Sequence, residues 1–326
     1  MKHVSILVPE GHFSLVNIEG SHQMLSWVNT YLQGSGRKPL FDIHLVGLSK
    51  SMTQTTGLFT INPDTLLGDV KKTDLIILPA IHGDVRANVQ RNAEMIPWLI
   101  NQYHQGAEIM SMCIGSFFLA AAGLLDGKAC STHWGFANDF RRMFPKAKLM
   151  DDRIITEADG IYTSGGAYSF TNLLIYVIER YAGREVAIVT AKSFMIDIDR
   201  CYQSLFTIFA GQKVHDDPQV LNAQEFIEQN YQEKINVDDL SENIGVGRRT
   251  FERRFKRATS NTVIEYIQRV KIEAAKKQLE SGRKTISEVM YEVGYNDTKA
   301  FRVLFKRVTG ISPIEYRNKY QMVAGR

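Results

Sequence analysis

A ten-residue stretch occurs twice in this chain. Phe251-Glu252-Arg253-Arg254-Phe255-Lys256-Arg257-Ala258-Thr259-Ser260 and Phe301-Arg302-Val303-Leu304-Phe305-Lys306-Arg307-Val308-Thr309-Gly310 share the frame Phe-x-x-x-Phe-Lys-Arg-x-Thr at an offset of 50 residues. Each copy follows a short amphipathic stretch that ends in glycine, Leu240 to Gly245 and Val289 to Gly294. Glycine takes the left-handed turn conformation cheaply, so each copy reads as two helices joined by a sharp turn, a helix-turn-helix. Phenylalanines four apart share one helix face, which makes Phe251 with Phe255, and Phe301 with Phe305, the core anchors. Arg248, Arg249, Glu252, Arg253 and Lys256 then fall on the outer side of the first copy, and Thr298, Lys299, Arg302 and Lys306 on that of the second. A helix with a basic, hydrogen-bonding outer face fits the major groove of double-stranded DNA. The stretch Val263–Glu280 between the copies reads as one helix, about 27 Å long at 1.5 Å per residue. With the turns at its ends, it brings the two recognition helices to a separation near one turn of DNA, roughly 34 Å.

Charge agrees with that partner. From Val220 to Arg326 the chain carries 20 Lys+Arg against 14 Asp+Glu, whereas the remainder carries 19 against 21. A basic terminal segment on a slightly acidic body points to a polyanion. Helices are expected at Val220–Asn230, Val237–Ile244, Arg249–Ala258, Val263–Glu280, Ile286–Val293, Thr298–Val308 and Pro313–Arg317, with no strand signal after Gly211. Asp216–Pro218, a polar stretch closed by proline, marks the expected boundary, giving domains over 1–215 and 219–326.

The first two thirds alternate strands with helices. Val4–Val8, Phe41–Leu48, Leu75–Leu78 and Glu108–Met112 are expected strands. Ile18–Tyr31, Ala93–Gln105, Ser116–Ala122 and Ser169–Tyr181 are expected helices. Alternation of this kind implies a flavodoxin-like parallel sheet with helices on both faces, so the fold class is α/β followed by an all-α domain with two helix-turn-helix units. No apolar run reaches the roughly 18 residues of a membrane helix, and the N-terminal apolar run reads as a first strand rather than a signal peptide. Three cysteines, Cys113, Cys130 and Cys201, are odd in number and widely spaced, which argues against a disulfide framework and for a cytoplasmic location. Cys130 and Cys201 read as buried small hydrophobes.

Within the α/β part, Glu108 to Leu119 reads as strand, tight turn and helix, with Cys113 at the turn as in a nucleophile elbow. There the N-terminus of the following helix is able to stabilise a thiolate, while Cys113 itself reads first as a retained elbow residue lining a pocket. His133 reads either as a group approaching Cys113 or as a packed histidine donating to a backbone carbonyl. His82-Gly83-Asp84 follows a strand, at the end of the sheet where ligands of open α/β folds bind. The expected ligand pocket therefore comprises Cys113, Ile114, His133, His82, Gly83 and Asn17. No His/Cys/Asp cluster has metal spacing and no phosphate-binding glycine loop is present, so neither metal nor cofactor is expected.

Two resemblances follow from these residues. Gln224 to Tyr320 resembles the AraC/XylS family DNA-binding domain, above all in Ile286 to Tyr295, Phe301, Phe305-Lys306-Arg307, Gly310-Ile311-Ser312-Pro313 and Tyr316-Arg317. This implies base contacts from Arg249, Glu252, Arg253, Thr298, Lys299 and Arg302, while Val303 stands where that family often has a basic residue. Lys2 to Gly183 resembles the class I glutamine amidotransferase-like superfamily in its PfpI branch. Joined, the two look like the GlxA family of regulators. The likeness implies a homodimer on promoter DNA, a small-molecule effector and contact with RNA polymerase. Enzyme activity is not expected. Ile114 stands where PfpI-type proteases place histidine, Asn17 where related regulators often carry Asp, and Glu19 is shifted from that place. The alternative reading is a cysteine hydrolase or amidase carrying a DNA-binding domain; a redox role for Cys113 would require both thiolate character and access.

Overall fold

The computed structural model describes residues 1–54, 57–198 and 202–321, which leaves Cys201 outside the described residues. The chain divides into two compact units, Met1–Gln203 and Ser204–Arg326.

In the first unit the strands are β1 (Lys2–Val8), β2 (Phe41–Gly47), β3 (Met52–Thr53), β4 (Thr60–Ile61), β5 (Thr65–Leu66), β6 (Leu75–Leu78), β7 (Glu108–Ser111), β8 (Ala129–Cys130), β9 (Lys148–Leu149), β10 (Ile155–Ala158) and β11 (Ile161–Ser164). The helices are α1 (Leu15–Gly34), α2 (Val85–Arg91), α3 (Met95–His104), α4 (Ser116–Ala121), α5 (Ala137–Met143), α6 (Phe170–Ala182) and α7 (Arg184–Ser193). Seven strands form one sheet in the order β10-β11-β7-β6-β1-β2-β5. Val4 pairs with Ile43 on one side and Leu75 on the other, and Ile76 pairs with Ile109, all in parallel. The order from β2 through β11 is that of the flavodoxin-like doubly wound sheet. The edge strand β10 runs antiparallel to β11, a departure from the all-parallel expectation. Residues 155–164 are a hairpin, and a tight turn reverses the chain where a crossover would have kept its direction.

Side chains alternate strictly across the sheet, yet both sets are buried. Val4, Ile6 and Val8, with Leu75 and Ile77, pack under α1, α6 and α7. Leu7, Ile76, Leu78 and Ile109 pack on the other face under α3 and α4, through Leu99, Phe117 and Phe118. Helices on both faces explain why Leu75-Ile76-Ile77-Leu78 is a continuous apolar run. Each such side chain stabilises the fold by about 1.5–3 kcal/mol.

From Pro218 on, the second unit is built of helices: α8 (Pro218–Gln229), α9 (Val237–Asn243), α10 (Arg248–Thr259), α11 (Val263–Ser281), α12 (Ile286–Glu292), α13 (Thr298–Thr309) and α14 (Pro313–Tyr320). It begins well before the expected 216–218 boundary because residues 204–215 pack on it. The Phe209 ring meets Tyr266 edge-on at 5.1 Å, the Phe209 amide donates to Glu273 at 3.1 Å, and Lys276 donates to the Thr207 carbonyl. Among the described residues no helix is long and apolar enough to cross a membrane.

Candidate functional site

The two copies of the repeat build two cores that share one helix. Phe251, Phe255, Leu240 and Val237 pack with Val220 and Ile227 of α8 and with Val263, Tyr266 and Ile267 from the first half of α11. Phe301, Phe305, Val289 and Met290 pack with Tyr316 of α14 and with Ile272, Ala275 and Leu279 from the second half of α11. The turns match: Gly245 and Gly294 both have positive φ, 68° and 77°. At Gly294 the reason is also steric, since a Cβ there would collide with the Gln232 carbonyl oxygen.

Structural correspondence runs beyond the ten residues that the sequence comparison singled out. Thr259 donates to the Phe255 carbonyl at 2.8 Å, and Thr309 to that of Phe305 at 2.8 Å. Left-handed Ser260 and Gly310 end the recognition helices. Thr262 with Glu265, and Ser312 with Glu315, form capping boxes that start the next helix. Tyr266 donates to Glu228 at 2.7 Å and Tyr316 to Glu280 at 2.6 Å. The signal was available, because Thr-x-x-[Thr/Ser]-x-Ile-Glu-Tyr continues the same offset from Thr259 and Thr309.

Outside the cores the recognition helices carry their charge. Arg249, Arg253 and Lys256 on α10, and Thr298, Lys299, Arg302 and Lys306 on α13, are exposed. Among the described residues the six cations in this set form no ion pair. Arg248 and Glu252, also expected at the interface, are paired instead: Arg248 donates to Asp238 at 3.0 Å and to Glu252 at 3.2 Å. That link ties the start of α10 to α9. Arg254 turns inward to Asp217, the cap of α8, at 2.6 Å.

Lys271 was not singled out from sequence. It is buried in the middle of α11 and donates to the Glu233 carbonyl at 3.1 Å, in the first repeat, and to the Val293 carbonyl at 3.0 Å, in the second. Its ammonium also lies 5.4 Å from the Tyr295 ring centre. Burial without a paired carboxylate lowers its pKa below the usual lysine range.

In the first unit the expected elbow is present. Cys113 follows β7 with φ of 55°, a conformation costly for a residue with a side chain. Ser116 and Thr132 hold it by donating to its carbonyl at 3.1 and 3.3 Å. Gly115 lets α4 approach the end of β6, since a Cβ there would lie 2.6 Å from the Pro79 carbonyl oxygen. A thiolate is not favoured there. Cys113 is only 5% exposed, and burial pushes its thiol up to about 12, outweighing the Ile114 amide. Cys130 is buried as well, with a thiol pushed up to about 12 for the same reason.

The other expected pocket residues divide. Asn17 is buried and committed, accepting from the Ala80 amide at 3.1 Å to brace the loop after β6, and Ile114 is buried. Glu19 is exposed. His133 does not match the carbonyl-donor expectation at Nδ1, which accepts from the Gly135 amide at 3.0 Å. Its pKa is lowered, first by burial and then by His82. His82 is likewise lowered by burial and by His12, whose ring centre lies 5.1 Å away. His12 and His82 stand on the loops after β1 and β6, the point where the strand order reverses, and Gly83 completes that turn with φ of 79°. Among the described residues no imidazole hydrogen-bonds the Cys113 thiol. Two cavities in this unit lie elsewhere. One of about 280 Å³ is lined by Glu10, Ser49, Thr53 and Arg91, the other of about 470 Å³ by Ile155, Tyr176, Arg180 and Ile198. No group of three or more potential ligands among the described residues is arranged to hold a metal ion.

Comparison with known proteins divides the chain in the same way. Residues 31–180 match the DJ-1/PfpI family and residues 240–319 match a helix-turn-helix domain family. The HTH-type transcriptional regulator GbdR of Pseudomonas aeruginosa is 26% identical over 307 residues, covering 94% of this chain and 82% of that protein. An AraC-like transcription regulator of Streptomyces lividans is 36% identical over 101 residues, covering 31% of this chain and 33% of that one. Among solved structures, a transcriptional regulator protein from Vibrio parahaemolyticus superposes with a TM-score of 0.53 at 22% identity, covering 60% of this chain and 98% of that one; this likeness concerns fold.

Proposed function

We infer that this chain, a DJ-1/PfpI domain followed by an AraC-type helix-turn-helix domain, is a cytoplasmic transcriptional regulator that grips promoter DNA with α10 and α13. The observation that carries the reading is a set of six cations, Arg249, Arg253, Lys256, Lys299, Arg302 and Lys306, that form no ion pair among the described residues and stand on the exposed sides of two helices whose opposite sides are pinned by duplicated phenylalanines. The shared helix α11, 19 residues and so about 28 Å long, supports engagement of neighbouring major grooves. Arg248 and Glu252 belong to the same face, where their mutual pairing holds the Glu252 carboxylate toward base edges, at which a carboxylate can accept from cytosine.

In this reading the first domain forms the homodimer and answers a small metabolite held near His82, Gly83, His133 and Cys113, and the DNA-bound protein contacts RNA polymerase. The buried, protonated Cys113 supports a scaffolding role over hydrolysis, so Cys113→Ser is expected to leave DNA binding intact.

The test is the salt dependence of binding to duplex DNA from genomic pull-down. With Arg253 given to a base edge, five phosphate-neutralising contacts give a log–log slope of about −4.5, or roughly a five-hundredfold loss of affinity between 50 and 200 mM salt. Equal affinity at both concentrations would overturn the assignment. Thermal-shift screening of metabolites tests the effector, because a ligand selective for the folded state raises the melting temperature. No shift across central metabolites would leave the first domain as a dimerisation scaffold.

A further inference from the structure

The two recognition helices differ at one telling place. The offset of 50 aligns Arg249 with Lys299, Lys256 with Lys306, and Arg253 with Val303. Arg253 and Val303 each stand two residues beyond a fully buried phenylalanine, so each points about 160° away from it round the helix. That is the outermost line of the helix. Arg253 is an exposed, unpaired cation, whereas Val303 is 63% exposed. Ala300, one turn earlier, is exposed beside it. Lys299, Arg302 and Lys306 surround this apolar step and make no ion pair among the described residues.

Isolated apolar side chains are ordinary on a protein surface. This one sits at the centre of a cationic face, where the repeat supplies arginine in its other copy. Flanking cations match the phosphates on either side of a major groove, which commits the apolar step between them to the base edges. There only thymine offers an apolar group, its 5-methyl, and small apolar side chains contact it, while arginine pairs with guanine O6 and N7. Valine suits the task because a β-branched side chain is stiff about χ1 and loses little freedom on contact.

We propose that Val303, seated beside Ala300, reads a thymine methyl group in the half-site of the second repeat, while Arg253 reads guanine at the corresponding place in the first. The two half-sites of one chain then differ in sequence. This rests on the DNA-binding reading above.

The experiment uses the full chain and a duplex recovered by genomic pull-down. Each thymine is replaced in turn by deoxyuridine, which removes only the methyl group. One or two replacements are expected to weaken the wild type about fourfold, the effect of leaving one methyl group exposed. Val303→Ala should bind the thymine duplex about as weakly and be indifferent to the same replacement. Val303→Thr, which keeps a methyl group, should retain much of the dependence, and Val303→Arg should shift preference toward guanine there. The proposal is overturned if every replacement affects wild type and Val303→Ala alike, or if Val303→Ala binds as the wild type does, the result expected of a residue facing a protein partner. Steeply salt-dependent binding with no uracil effect removes only the Val303 assignment, whereas absent or salt-insensitive binding removes the DNA-binding reading itself.

Discussion

Lys271 offers a direct test of whether the two repeats act as one rigid reader. It is the only buried ammonium described here that donates to both repeats, through the carbonyls of Glu233 and Val293. Lys271→Met keeps most of the side-chain volume and removes the donors. The buried Val293 carbonyl and the part-buried Glu233 carbonyl, left without this partner, cost about 2–4 kcal/mol together. Relief from burying a charge that has no paired carboxylate returns about 1 kcal/mol. The expected net loss is about 1–3 kcal/mol, read as a lower midpoint in urea unfolding of the full chain. Its second signature is alkaline. The folded-state pKa of Lys271 lies below that of an unfolded lysine, near 10.4. Between the two values the unfolded chain binds more protons, so this group makes stability rise with pH across that window. The rise should vanish in Lys271→Met. Its third signature is functional: affinity for a duplex with both half-sites should fall about tenfold, the effect of a tether of about 1.4 kcal/mol, while affinity for a single half-site changes little. An unchanged midpoint together with an unchanged ratio of double-site to single-site affinity would refute the argument.

Three further outcomes are expected. Arg253→Ala should cost about 1–3 kcal/mol of binding and relax preference at one base pair; equal weakening on every sequence would make Arg253 a phosphate contact. Asp217, whose carboxyl is held below its usual range chiefly by the Arg254 hydrogen bonds, stabilises the fold above the ordinary aspartate pKa and loses that contribution as pH falls through the folded value. Asp217→Ala should cost about 1–2 kcal/mol through loss of the α8 cap and flatten the acid limb of stability, whereas a parallel acid limb would count against the pairing. Cys113, with its thiol near 12, should resist iodoacetamide at pH 8 in the folded protein and react once unfolded in urea; labelling of the native protein within minutes, located by mass spectrometry, would contradict its burial.

Much of this architecture could be read locally. Leu75–Leu78 is the strand its apolar run predicts, and Val263–Glu280 differs from α11 by one residue at its end, because Thr262 and Gly282 cap it with chemistry visible in the sequence. The duplicated phenylalanines face their cores as their spacing requires. What escaped depended on distance in the chain. Arg248 meets Asp238 ten residues earlier, and Lys271 meets Glu233 and Val293 on either side; neither relation leaves a periodic trace. The second unit starts at Ser204, ahead of the 216–218 stretch, for the same reason, since Phe209 lies in a segment without periodicity but packs on Tyr266. At Cys113 the local pattern gave the turn but not the protonation of the thiol. A helix start favours a thiolate only where water or a partner charge can reach the sulfur, and here the surrounding core excludes both.

Two consecutive repeats that share α11 head to tail have an outcome for the genome rather than the molecule. On the DNA-binding reading, a chain that enters with an arginine-centred helix and leaves with a valine-centred one gives each protomer's site a left and a right. Inverting such a site beside a gene presents the same letters in the opposite sense, and the bound protein then points its other end at the start of transcription. Orientation, and not only presence, becomes information that a promoter can hold.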